Sequence, residues 1–239
     1  MKRGRVIKPS RELLANARRI ADTGDYKIAA QSVLSGCGIS VAPSPSIFIG
    51  GFSRIGKTLV SGHLMSIGKD IVPMDDFRKY YHLSRTHPDK PHIQRCRAAF
   101  YSEAAMSGDH VVFEGSDVLG FIRMNGDFPL GTPVFLLTID ARDRERKIQQ
   151  LYESYKESGR RVRTKEECSA HVDRMIRISR FSREIAKTRS DYYTINMMNA
   201  EGDIIQASFS AFCEICEILK KYEVAQDSNE NVGSVNQKF

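Results

Sequence analysis

Gly51-Phe52-Ser53-Arg54-Ile55-Gly56-Lys57-Thr58 spells G-x-x-x-x-G-K-T, a pattern whose chemistry is the cradling of phosphate. Its glycines let consecutive backbone N–H groups turn inward around an anion, and a helix starting at the loop's end adds partial positive charge. Lys57 is placed to reach the outer phosphates of a polyphosphate and to face solvent until one arrives. The Thr58 hydroxyl can hold Mg²⁺. The pattern carries meaning only between a strand and a helix. Ile47-Phe48-Ile49 before it is an apolar run of strand length, and Leu59, Val60, His63 and Leu64 after it recur at helical spacing. Arg54 is the odd member, since a small residue turns more easily in mid-loop.

Transfer of a phosphoryl group also needs acids near the metal and the acceptor hydroxyl, and cations around the moving group. Asp75 and Asp76 follow the apolar stretch Asp70-Ile71-Val72-Pro73-Met74, and Glu114 ends Val111-Val112-Phe113. In parallel sheets, ligands bind beyond the carboxyl ends of strands, where all three acids fall. Asp75, first off its strand, is expected to take the proton of an acceptor hydroxyl, with Asp76 at the substrate. The alternative is that the pair caps the next helix. Glu114 is costly to bury unless it meets a cation or donors. It can stand near Mg²⁺, as can Asp75, through water, or hold a substrate hydroxyl; the alternative is a bond to a neighbouring loop. Arg142 and Arg146 share a helix face and are expected at the phosphates, with Arg160, Arg161 and Arg163 in the following turn. Arg78, Arg95 and Arg97 flank the expected acceptor pocket and suit an anionic substrate.

The elements that must position these groups alternate as in α/β proteins. Strands are expected at 47–50, 70–74, 111–113, 134–139 and 192–195, giving a five-stranded parallel sheet. Two polar helices at about 142–158 and 165–188 read as a lid over residues 142–188, strongly basic as a lid over polyphosphate should be. A last helix is expected at about 203–221. The tail from Ala225, or residues 224–239, is polar and reads as disordered. Ahead of the loop domain (46–223), residues 1–45 read as a helical hairpin and a linker, Pro43-Ser44-Pro45. The hairpin's apolar face, with Leu13, Leu14, Ile20, Ile28 and Val33, is too small to fold alone, so it must pack on the main domain or on a second copy of the chain.

The chain has 239 residues, 41% of them hydrophobic, enough for one α/β domain with an appendage. No apolar run approaches the ~20 residues of a membrane span, and no signal core follows the basic start. Five scattered cysteines suit reduced thiols in the cytoplasm. Cys213 and Cys216 lie on a helical apolar pattern and read as core thiols; the histidines show no metal-ligand spacing. The net charge of +7 admits an acidic partner, but aromatic residues interleaved with basic ones, the mark of base stacking, are lacking at the basic N-terminus apart from Tyr26.

Ile49-Gly50 with the loop, Met74-Asp75-Asp76-Phe77, Val112-Phe113-Glu114-Gly115 and, more weakly, Met175–Phe181 together resemble the P-loop small-molecule kinases, in particular the 2-phosphoglycerate kinase-like, zeta-toxin-like and nucleoside kinase groups. The resemblance spans about 46–220. It implies a nucleotide-kinase-like P-loop NTPase fold, a three-layer α/β/α sandwich, with ATP and Mg²⁺ as cofactors. It implies ATP contacts along Gly51 to Leu59, which includes Phe52, Ser53, Arg54, Ile55, Gly56, Lys57 and Thr58. It also implies a mobile arginine-bearing lid and an adenine near Asn196-Met197-Met198-Asn199. The expected activity is ATP-dependent phosphorylation of a hydroxyl on a small molecule. A nucleic-acid-end kinase and a non-catalytic nucleotide-binding regulator are the competing readings. A chain starting at Ser46 is expected to melt lower, or to be less soluble, than the full chain in a thermal unfolding comparison; an unchanged melting temperature would remove the packing role of the hairpin.

Overall fold

The computed structural model describes residues 3–42, 44–81, 90–157, 163–198 and 203–233. Every residue of β1 (Ile47–Gly51) is buried, so both faces of this strand must be covered. It sits at the centre of a five-stranded sheet with β2 (Asp70–Pro73), β3 (Val111–Gly115), β4 (Val134–Thr138) and β5 (Tyr192–Asn196), in the order β2-β3-β1-β4-β5. All pairings are parallel. Alternate residues serve opposite faces. Phe48, Val72, Phe113 and Leu136 join one core, and Ile47, Ile49, Ile71, Val112, Phe135 and Leu137 join the other. Helices cover both faces, an arrangement compatible with a three-layer α/β/α fold.

The helices are α1 (Arg11–Asp22), α2 (Tyr26–Gly36), α3 (Lys57–Ser66), α4 (Met74–Tyr81), α5 (Lys90–Ala105), α6 (Asp117–Asn125), α7 (Arg144–Glu157), α8 (Lys165–Ala186) and α9 (Ile204–Gly233). β1 and β3 are neighbours, yet β1 leads through α3 to β2 and β3 leads through α6 to β4. Their connections diverge, and a crevice opens between their carboxyl ends.

The structure departs from the expectations at several points. α6 was not anticipated: its Gly120 and the short run before Asn125 hide an amphipathic pattern that buries Val118, Leu119, Phe121 and Ile122. β2 stops at Pro73, and Asp75 and Asp76 lie in the first turn of α4, where carboxylates meet the positive helix end. α9 continues to Gly233 instead of stopping near 221, because extending a helix already formed costs little. The expected lid turn lies mostly at 158–162, outside the described residues. Among the described residues no helix is long and apolar enough to cross a membrane.

The hairpin forms as α1 and α2. Ser10 caps α1 by accepting from the Leu13 N–H at 3.1 Å. α1 packs on α4 and α2 on α5. The packing face of α2 is Ala29, Ala30, Val33 and Leu34; Ile28, expected there, is exposed because the helix is turned by one position. Small alanines let the helices approach closely. Ahead of the hairpin, Val6 makes a parallel bridge to Ile71, so the chain's start extends the sheet beyond β2. Gly4 lies so close to Lys69 that a Cβ would fall 2.0 Å from its carbonyl oxygen.

One expected substrate residue is committed to the interior. Arg97 is 4% exposed and forms a two-pronged pair with Asp117, which is 6% exposed, including Nε to Oδ2 at 3.2 Å. It joins α5 to the start of α6 instead of facing an acceptor. Its neighbours Phe100 and Tyr101 pull that face of α5 into the core. Removing one member of such a pair leaves an uncompensated buried charge. Arg97→Met is therefore expected to cost about 3–5 kcal/mol in urea unfolding, with much of the loss recovered in Arg97→Met/Asp117→Leu.

Candidate functional site

The phosphate-loop pattern lies where β1 ends and α3 begins. Gly56 has φ 121°, and a Cβ there would fall 2.7 Å from the Met197 methyl, so this position requires glycine. Arg54 has φ 66°, the left-handed region that side chains seldom adopt. Its guanidinium lies over the Tyr155 ring of α7, 4.4 Å from the centroid. Arg163 sits over the same ring at 5.1 Å. Cation–π contact thus offsets part of the backbone strain and ties the loop to the helix that follows β4.

Lys57 turns back onto its own loop instead of facing solvent. Its Nζ donates to the carbonyls of Gly51 and Phe52, at 3.1 Å each. Burial lowers its ammonium, against the opposing pull of Glu114 and then Asp75. Glu114 is aligned with Ile49 of β1 on one side and Pro73 of β2 on the other. It is buried, and its Oε1 accepts from the Thr58 hydroxyl at 3.3 Å. Its Oε2 is buried with no protein partner. Burial raises its carboxyl; Lys57 and the Thr58 hydrogen bond oppose this, and Asp75 adds to it. Four groups from three elements therefore meet at the crevice between β1 and β3: Lys57, Thr58, Glu114 and Asp75. Asp76 is not one of them, and faces Lys8 of the N-terminal segment at 3.7 Å.

Hard oxygen donors at a strand end, one of them lacking a partner, fit a Mg²⁺ ion that keeps most of its water. Thr58 and Glu114 are the residues that would hold it. Among the described residues no group of three or more His, Cys, Asp or Glu side chains is arranged to hold a metal by protein ligands alone.

Cavities lie on both sides of the loop. One, of about 330 Å³, is bounded by Lys57, Thr58 and Leu59 at the start of α3, by Lys147 and Gln150 of α7, and by Ile204 of α9. The other, of about 490 Å³, is lined by Phe52, Ser116, Leu119, Arg123 of α6, and Arg177 and Phe181 of α8. Arg142 and Arg146, expected at the phosphates, line neither. Arg142 lies between Asp140 at 3.7 Å and Asp143 at 3.8 Å, and Arg146 donates to the Met198 carbonyl and to Asp143. α7 is rotated so that Lys147, Gln150 and Leu151 face the cavity instead. The Arg78 side chain lies outside the described residues, and Arg95 lies over Tyr26 of the hairpin at 5.7 Å.

Residue types alone did not single out Lys147, Gln150, Arg123, Arg177 or His171. His171 of α8 bonds the Ser53 carbonyl at 3.1 Å and packs on Phe52. Burial lowers its imidazole; the Ser53 carbonyl opposes this, and Arg163, Arg54 and Arg174 add to the lowering. The one signal for Lys147 was its place beside the apolar stripe of Ile148, Leu151 and Tyr155.

Lys147 is 2% exposed, and burial, helped by Arg146, lowers its ammonium from 10.5 to about 8. The native value is below the ordinary one, so protonation costs the folded state. That cost is fully present below about pH 8 and is relieved as pH rises towards 10.5. In urea unfolding across this range, the unliganded wild type should gain about 3 kcal/mol relative to Lys147→Met. Parallel pH profiles for the two proteins would show that Lys147 is not desolvated.

No protein-family model matches the chain, and no curated protein matches it in sequence.

Proposed function

We propose that this protein is an ATP-dependent kinase that transfers the γ-phosphoryl group to a hydroxyl of a small, anionic molecule. The observation that carries this reading is the meeting of Lys57, Thr58, Glu114 and Asp75 at the crevice, with a cavity on either side of the loop. A donor and an acceptor must approach a phosphoryl group from opposite sides. The cavity beside α3 would take the nucleotide. The cavity beside α6 would take the acceptor, whose negative group Arg123 and Arg177 would hold and whose body Leu119 and Phe181 would cover.

Each residue has a defined task. Lys57 moves from the Gly51 and Phe52 carbonyls to the phosphate oxygens, which are stronger acceptors for an ammonium. Asp75 receives the hydroxyl proton as the new oxygen–phosphorus bond forms and the bond to the β-phosphate oxygen breaks, leaving ADP. Thr58 and Glu114 would hold a Mg²⁺ ion. The ion would supply positive charge against the charge of the phosphates. Nucleic acid is less well supported as acceptor. Arg5 and Lys8 of the basic N-terminus are engaged with Asp70 at 3.3 Å and Asp76 at 3.7 Å.

ADP release measured against a panel of hydroxylated carboxylates, phosphate esters and nucleosides tests the reading. Folded Lys57→Ala should show no transfer, and wild-type turnover by it would sink the kinase assignment. Asp75→Asn should lower kcat by roughly 10²–10⁴-fold while ATP still binds. Arg177→Ala should raise the KM for the acceptor and leave the KM for ATP unchanged.

A further inference from the structure

The cavity beside α6 changes character along that helix. Ser116 stands at its start, capping α6 with no side-chain hydrogen bond to the helix. It follows Gly115, where a Cβ would fall 2.7 Å from the Met74 Cβ, and Asp75 comes next after Met74. This is therefore the end where an acceptor hydroxyl would meet Asp75. Leu119 comes one turn along α6 and Arg123 one turn further, on the same face. At the α-helical rise, Arg123 lies about 10 Å beyond Ser116 along the axis. A second wall comes from α8, which supplies Arg177 and Phe181. Phe181 is 36% exposed although it lines a cavity, so an occupant could cover it.

The polar groups of the cavity are few and of one kind. Neither Arg123 nor Arg177 makes a hydrogen bond or ion pair with a described residue. Asp173, one turn before Arg177 on α8, feels its charge but is bonded to Arg144. The acid at the start of α6, Asp117, is turned inward onto Arg97. Among the described residues no Asp, Glu, Asn, Gln or His lines the cavity, and Ser116 is its uncharged hydrogen-bonding side chain. Sugars and polyols need many paired donors and acceptors, which these walls do not offer. A neutral ligand would take water from two guanidinium groups and return nothing. A short polyhydroxylated acid would set hydroxyls against Leu119 and Phe181. An apolar body held in orientation by a few polar groups fits instead.

We propose that the acceptor is a hydroxylated acid with an apolar, ring-bearing body. Its hydroxyl lies at the Ser116 end, its ring between Leu119 and Phe181, and its anionic group on Arg123 and Arg177. A carboxylate and a phosphonate or phosphate share the chemistry that the arginines recognise. The assignment rests on the kinase reading above and narrows its acceptor.

Calorimetric titration of the full chain, with ADP release followed in parallel on addition of ATP and Mg²⁺, tests it. The probes are para-hydroxymethylbenzoate, the matching phenylphosphonate, the neutral benzamide, glycerate and glycerol phosphate. At least one ring-bearing acid should bind about tenfold or more tightly than the benzamide, glycerate and glycerol phosphate, and the tighter of the two acids identifies the anionic group. Arg123 is exposed, so Arg123→Met leaves the core intact. It should weaken the ring-bearing acids by about ten- to a hundredfold and leave the benzamide unchanged. Wild-type binding of glycerate, glycerol phosphate or the benzamide as tight as that of both ring-bearing acids overturns the proposal. So does binding of the acids unaltered by Arg123→Met, or binding of no probe at all. ADP release with glycerate or glycerol phosphate but not with the ring-bearing acids overturns the acceptor class and leaves the kinase reading standing. Ring-bearing acids held through Arg123 without ADP release from any probe support the ligand class and count against phosphoryl transfer.

Discussion

A carboxyl group at the end of an otherwise apolar strand is the constraint around which this site is organised. Glu114 lies between β1 and β2 and has little water to solvate its charge. It can be tolerated only if donors and cations are brought to it. Thr58 supplies a hydrogen bond and Lys57 a charge, and both need α3 to start directly after the loop. That start in turn needs Gly56 in its unusual backbone conformation against Met197. The loop conformation, the junction between β1 and α3, and the loop after β5 are therefore coupled through one buried acid. Asp75 works against this balance by adding negative charge nearby. Two acids beside a single lysine leave a deficit of positive charge that a divalent cation would offset.

The fold was largely legible because its strands are buried on both faces and read as unbroken apolar runs: Ile47-Phe48-Ile49, Val111-Val112-Phe113 and Val134–Leu137. α7 and α8 were legible from their polar, helical runs; the capping box of Thr164 with Glu167 that starts α8 was visible only in the structure. α6 was missed because it is short and holds a glycine. The bridge of Val6 to Ile71 was missed because nothing in Arg5-Val6-Ile7-Lys8 marks a partner far along the chain. Pairing of this kind depends on tertiary register and not on local pattern.

The site divides in the same way. Lys57, Thr58 and Glu114 belong to a local motif or a strand end, where spacing and chemistry are visible in one dimension. The arginines do not, because the rotation of a helix decides which of several similar side chains faces a cavity. Arg97 differs from Arg123 and Arg177 in no way that composition records. Yet the first is bound to Asp117 in the interior, while the other two open onto a cavity. Lys147 shows the converse: a residue type that reads as surface is drawn inward by Ile148 and Leu151 beside it.

The Val6–Ile71 bridge also bears on the order in which the chain can assemble. Val6 precedes its strand partner Ile71 by some sixty residues, and among the described residues β2 otherwise pairs only with β3, at residues 111–115. α1 and α2 likewise wait for α4 and α5. The α1–α2 hairpin is thus among the last parts of this fold to gain its contacts, with its alanine-rich apolar face uncovered until residues up to about 115 are in place. Such a long-range closure slows folding and exposes apolar surface meanwhile. Arg3, Arg5 and Lys8 flank Val6 and give that segment a net positive charge, which favours solvation over association while its partner strand is unformed.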